Sequence, residues 1–130
     1  MNDPQRFTVA ARLRSFVYAG RGLGLMLRSQ HNAWLHAAVT FVVLALGFVL
    51  QIQAGQWCWI IASIVAVWTA EALNTAFEFL CDAASPDFHP MVEQAKDVAA
   101  GGVLISAIGA AAIGLIVFLP YVMDWLMATR

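Results

Sequence analysis

Charge is scarce in this chain: Asp, Glu, Lys and Arg make up 12% of its 130 residues, against about 25% in a soluble domain. So little charge cannot cover a water-facing surface, which excludes an ordinary soluble globular protein. Cysteine is nearly absent as well. Cys58 and Cys81 are the only two, and on one helix they stand about 34 Å apart, far beyond disulfide reach. There is no CxxC, no HExxH and no paired His/Cys spacing, and His31 and His36 point to different sides of a helix, so no transition-metal site built by the protein alone is expected. The net charge of −1 excludes the strongly basic face that nucleic acid requires. Internal repeats, low-complexity tracts and coiled-coil heptads are missing too. What is abundant is apolar surface: 62% of the residues are hydrophobic and the mean hydropathy is +0.75. The bilayer is the solvent that suits such a chain, and 130 residues give one domain room for about three spans of about 20 residues.

The charges that do occur are unevenly placed. Arg6, Arg12, Arg14, Arg21 and Arg28 precede the first long apolar stretch, so the N-terminal arm is expected on the cytoplasmic side. Across residues 6–29, arginines alternate with Phe7, Val9, Leu13, Phe16, Val17, Leu23 and Leu27 at helical spacing, which predicts an amphipathic helix in the headgroup plane. Gly20, Gly22 and Gly24 are expected to break or bend it. Transmembrane helices are expected over 33–50, 57–81 and 98–119. The polar turn Gln51 to Gln56 carries no Lys or Arg and belongs on the outer side, while the turn-rich segment Ser85 to Pro90 returns to the cytoplasm. The third span is expected to end at Pro120, and three spans put the C-terminus outside. No cleavage site precedes the polar turn, so all three spans are expected to be retained. Gly102, Ser106, Ala110 and Gly114 recur every four residues, a ridge of small residues suited to close helix packing, between subunits among other places.

The second span is not uniformly apolar. Glu71, Asn74, Thr75, Glu78 and Asp82 fall within a stripe about 100° wide on one helix face. A charge at the bilayer centre costs about 2.5–3.5 kcal/mol, so carboxylates there need a compensating role. The stripe extends about 16 Å along the axis towards the cytoplasmic interface, where Lys96 and Asp97 follow on the next helix. Carboxylate oxygens so arranged suit Mg²⁺ shared with phosphate, and a deeper carboxylate is free to take a proton. The same residues also suit helix bridging or a cation path, and no GxxxxGK[ST] loop is present.

The run Glu71-Ala-Leu-Asn74-Thr75-Ala-Phe-Glu78-Phe-Leu-Cys-Asp82 resembles the ExxN[ST]AxExxxD signature of the prokaryotic diacylglycerol kinase family, which includes the undecaprenol kinases. Phe88-His89-Pro90 and Ala95-Lys96-Asp97-Val98-Ala99-Ala100-Gly101 follow in the expected order, and their wording is nearer the undecaprenol kinase branch. The resemblance covers about Phe16 to Phe118. It implies an all-α integral-membrane homotrimer of the bacterial inner membrane, a single domain over 1–130 with a surface helix and three spans. The implied activity is transfer of the γ-phosphate of MgATP to the hydroxyl of a membrane lipid, undecaprenol or diacylglycerol.

By that resemblance Glu71 is the general base and Glu78 a metal ligand. Tyr18, Asn74, Asp87, His89, Lys96 and Asp97 bind nucleotide, and Asp82 supports the polar face. In one place the chain departs from the family pattern: Gln30 stands where a second metal-binding glutamate is usual. A Gln carbonyl still coordinates Mg²⁺ but adds no charge, so a member of the fold that is not a kinase, with an altered reaction or a structural or binding role, is the alternative expectation.

Overall fold

A computed structural model describes residues 8–128 of the chain. Four helices follow one another: α1 (Val9–Ser29), α2 (His31–Val49), α3 (Ala54–Ala84) and α4 (Pro90–Ala128). The last three are long and apolar enough to cross a membrane. A helix runs from Val9 onward where the surface helix is expected, while Arg6 and Phe7 lie outside the described residues.

Helix α1 begins at Thr8, whose side-chain oxygen accepts from the Ala11 backbone N–H at 3.2 Å, an N-cap that satisfies one orphan donor of the first turn. It corrects one expectation, because α1 passes through Gly20, Gly22 and Gly24 without a break. A helical glycine costs about 1 kcal/mol but blocks nothing sterically, and nothing from the rest of the fold lies within 4 Å of where a Cβ would stand on any of the three. Met26 is the one buried residue of α1. A single residue separates α1 from α2. Gln30 is extended, with φ −109° and ψ 118°, and its N–H donates to Met26 O at 2.9 Å while it also opens α2.

The turn from α2 to α3 is a Schellman motif, with Gln51 N–H donating to Phe48 O at 3.3 Å and Ile52 N–H to Gly47 O at 3.2 Å. Gln51 takes the left-handed position, φ 50°, where glycine is usual. Ile52 then turns inward and packs with Ile60 and Val117, joined by Val43, Trp57, Phe118 and Tyr121. The apolar core therefore sits at this end of the bundle, where all three long helices meet. Trp57 is half-buried here, its ring centroid 4.9 Å from that of Phe48.

Helix α4 continues through Pro120, where the third span is expected to end, to Ala128. Proline deletes one backbone hydrogen bond, and helices in apolar surroundings tolerate that loss because every other backbone group gains nothing by leaving the helix. The Tyr121 hydroxyl, one residue later, donates to Gln56 Oε1 at 2.7 Å and ties α4 to the start of α3. The two glycines of the small-residue ridge on α4 do not serve close packing within the chain, since a Cβ on Gly102 or Gly114 would meet nothing within 4 Å. Adjoining this core, α2, α3 and α4 leave between them an apolar groove of about 660 Å³, lined by Val43, Ile60 and Phe118 of the core and, further along, by Leu35, His36 and Val39.

Candidate functional site

At 1.5 Å per residue, α3 rises about 46 Å, well beyond a hydrocarbon core of about 30 Å. Glu71 lies about 26 Å from its N-terminal end, so the acidic stripe occupies the half remote from the α2–α3 turn. That face is turned inward: Glu71 is 1% exposed, and Asn74 and Thr75 are also buried. Thr75 completes itself locally, its hydroxyl donating to Glu71 O at 2.9 Å.

Helices α2 and α3 run antiparallel, and polar pairs join them at successive levels. Gln30 Nε2 donates to Glu78 Oε2 at 2.6 Å. One level deeper, His36 Nε2 stands 3.8 Å from Glu71 Oε2. Next, Trp68 Nε1 donates to Thr40 Oγ1 at 3.0 Å. The spacing between the first two levels is six residues on α2 and seven on α3, about 9–10 Å along each axis, so one helix register satisfies both. From within α3, Asn74 Nδ2 donates to Glu78 Oε1 at 3.0 Å. Both oxygens of Glu78 thus accept an amide donor, while neither oxygen of Glu71 has a hydrogen-bond donor and Asn74 Oδ1 is likewise buried without a partner.

At the far end of the stripe, Lys96 on α4 donates to Asp82 Oδ1 at 2.5 Å. Lys96 precedes the apolar part of α4, and this hydrogen bond raises its ammonium above the usual lysine range, so the side chain carries its charge at neutral pH. The structure therefore brings together Gln30, Asn74 and Glu78 as one cluster, with Glu71 one level deeper and Asp82 paired to Lys96. It does not bring in the other expected nucleotide residues. Tyr18 is 62% exposed on α1, its ring 6.0 Å from the Arg21 guanidinium. Asp87 and His89 are exposed in the α3–α4 connection and serve its local turn: Asp87 O accepts from Ser85 Oγ at 3.1 Å, and His89 Nδ1 accepts from Met91 N at 3.2 Å. Asp97 is exposed on α4.

Among the described residues no three His, Cys, Asp or Glu side chains gather at metal-binding distance. The cluster around Glu78 is nonetheless chemically suited to a hard cation, because its carboxylate adjoins two carboxamides and the buried Asn74 Oδ1 is left without a donor. By sequence His36, at the entry to the first span, reads equally as facing a polar cavity or as an interfacial histidine satisfied by backbone, and the structure sets it beside Glu71.

The model of the prokaryotic diacylglycerol kinase family matches residues 17–118. The chain is 39% identical over 119 residues to the undecaprenol kinase of Bacillus subtilis (strain 168), a match spanning 92% of this chain and 93% of that one. It is also 32% identical over 109 residues to the diacylglycerol kinase of Synechocystis sp., spanning 83% of this chain and 62% of the relative. The matched segment contains α2, α3 with its acidic face and α4 as far as Phe118, and the chain belongs to the prokaryotic diacylglycerol kinase family of ATP-dependent lipid kinases.

Proposed function

We propose that this kinase transfers the γ-phosphate of ATP to the hydroxyl of a membrane lipid alcohol, undecaprenol ahead of diacylglycerol, in a bacterial inner membrane. The preference for a polyprenol follows the higher identity and the fuller coverage of both chains in the match to the undecaprenol kinase. The observation that carries the reading is the placement of Glu71: a buried carboxylate without hydrogen-bond donors, next to a groove lined by apolar side chains.

In this reading the lipid lies with its tail against apolar helix surface and its hydroxyl at Glu71. The carboxylate takes the hydroxyl proton as the lipid oxygen bonds to the γ-phosphorus, and the bond from that phosphorus to the bridging oxygen breaks to release ADP. A carboxylate in apolar surroundings is the more effective proton acceptor, because it lacks the water that stabilises its charge. Lys96, oriented by Asp82, meets the phosphates as a point charge. Tyr18, Asn74, Asp87, His89 and Asp97 hold the nucleotide, and Glu78 with the Gln30 carbonyl holds Mg²⁺. Held by these residues, Mg²⁺ would supply positive charge to offset that of the transferring group.

Glu78 is the one carboxylate of its cluster, so these residues alone would hold Mg²⁺ more weakly than a pair of carboxylates. The amphipathic α1 lies in the headgroup plane and carries Tyr18 to the nucleotide. The N-terminus is cytoplasmic and the C-terminus outside, a reading supported by the five early arginines. A homotrimer completes the site: α2 buries only Ala33 and Gly47, and α4 only Val103 and Val117, so most of their surface is left for lipid or other copies.

The test is transfer of γ-phosphate label from ATP to lipid in detergent micelles, with undecaprenol and diacylglycerol compared in parallel. Label appearing in undecaprenol at the higher kcat/KM, dependent on Mg²⁺ and lost in Glu71→Gln, supports the reading. Label confined to diacylglycerol reverses the substrate assignment, and label in neither lipid overturns it.

A further inference from the structure

Burying a carboxylate without hydrogen bonds is strongly unfavourable, and Glu71 is buried in that way on α3. The group able to relieve it comes from the neighbouring helix. His36 Nε2 is 3.8 Å from Glu71 Oε2, against about 2.7–3.2 Å for a hydrogen bond, so a displacement of about 1 Å completes the contact. His36 also lines the apolar groove between α2, α3 and α4, and Glu71 does not. A lipid hydroxyl arriving along the groove therefore passes His36 before it reaches the carboxylate. On α3 the charged neighbour of Glu71 is Glu78, a like charge. On α4 the cation is Lys96, and it is held by Asp82. His36 is accordingly the donor that the packing of α2 on α3 delivers to this carboxylate.

We propose that His36 is a positioning residue for the phosphoryl transfer: its imidazole N–H fixes Glu71 Oε2 at the head of the groove and leaves Oε1 to receive the hydroxyl proton. The inference rests on Glu71 acting as the general base. It also gives the imidazole an orientation, since Nε2 must carry the proton and Nδ1 is then the acceptor. The neutral side chain is enough for this task, and no charge on the imidazole is invoked.

The experiment compares His36→Leu, which keeps the bulk and removes the donor, with His36→Gln, whose carboxamide restores one, in the full-length protein phosphorylating undecaprenol in micelles. The expected result is a fall in kcat of about 10- to 100-fold in His36→Leu with KM for ATP unchanged, and recovery to within about threefold of wild type in His36→Gln. A residue that merely packs would give the opposite ranking, because leucine fills the apolar site and glutamine does not. Wild-type kcat in His36→Leu overturns the inference. So does equal loss in both variants when their thermal unfolding, followed by circular dichroism, matches wild type. Where His36→Leu fails to fold, His36→Met supplies the donor-free comparison. Glu71→Gln separates the two levels of the argument: if it stays active, the base assignment itself is wrong, and if it is dead while His36→Leu is fully active, only the role of His36 is lost. A readout independent of turnover is the infrared carboxyl band of Glu71, isolated by subtraction of Glu71→Gln. It shifts in His36→Leu if the imidazole donates to it, and an unchanged band overturns the inference.

Discussion

Gln30 and Glu78, 48 residues apart in the sequence, meet at 2.6 Å with the amide of the glutamine donating to the carboxylate. Gln30 is also the single residue between α1 and α2 and makes no side-chain cap for α2, so the tertiary contact takes the place of the local one. Two carboxylates at these positions would repel one another without a cation, whereas an amide and a carboxylate attract. Gln30 thus holds α2 on α3 without a metal, and in the proposed metal site it would be a neutral ligand.

Gln30→Glu is therefore expected to tighten metal binding and to weaken the metal-free fold. Restoring a charged ligand should lower the half-saturating Mn²⁺ concentration about tenfold, measured by electron paramagnetic resonance of the free ion. The melting temperature without divalent metal should fall below wild type, because the introduced carboxylate and that of Glu78 would then be unscreened like charges. Unchanged Mn²⁺ affinity would separate residue 30 from the metal site.

Glu71→Gln is expected to cut label transfer by at least about 100-fold, the span that general base catalysis covers. Stability should hold or rise, because a neutral amide replaces a buried carboxylate that has no hydrogen-bond donor. Initial rates and thermal unfolding on the same preparation check both halves.

Lys96→Met is expected to raise KM for ATP about tenfold, with Lys96→Arg retaining more of the affinity through its charge. The melting temperature should barely move, since the Lys96–Asp82 pair lies at the surface, with the Asp82 side chain 66% exposed, and exposed ion pairs contribute little. ATP-concentration series on the two variants decide it.

Gly47→Ala is expected to destabilise the bundle by about 1–3 kcal/mol, the usual range for overpacking. An added Cβ would stand 2.7 Å and 2.9 Å from two ring atoms of Trp57 and 3.3 Å from Ile52, inside the apolar core. Adding Trp57→Leu to Gly47→Ala should recover part of the loss, as read by denaturant unfolding in micelles. An unperturbed Gly47→Ala would mean that the ring moves aside freely.

Much of the site could be read from α3 alone. Residues 71, 74, 75, 78 and 82 share a face because the helical period is fixed, whatever packs against it. Helix lengths were less legible. Gly20, Gly22, Gly24 and Pro120 look like stops in a sequence, yet α1 and α4 run through them: a helical glycine costs only about 1 kcal/mol, and at Pro120 the one lost hydrogen bond is small beside opening others in apolar surroundings. Trp57 reads as an interface anchor by residue type, and its place beside Gly47 depends on a turn that positions it inside.

By itself the sequence determined the solvent, the number of spans and the acidic face, since hydropathy, charge placement and a period of 3.6 residues are local properties that survive any arrangement of neighbours. The tertiary structure alone decided which groups from other helices meet that face: Gln30 at Glu78, His36 at Glu71, Thr40 at Trp68 and Lys96 at Asp82. The physical reason is register. Two antiparallel helices can slide past one another by a turn without altering either pattern, and only the packing of Ile52, Ile60, Trp57 and Val117 at the turn end fixes the level at which the polar pairs fall.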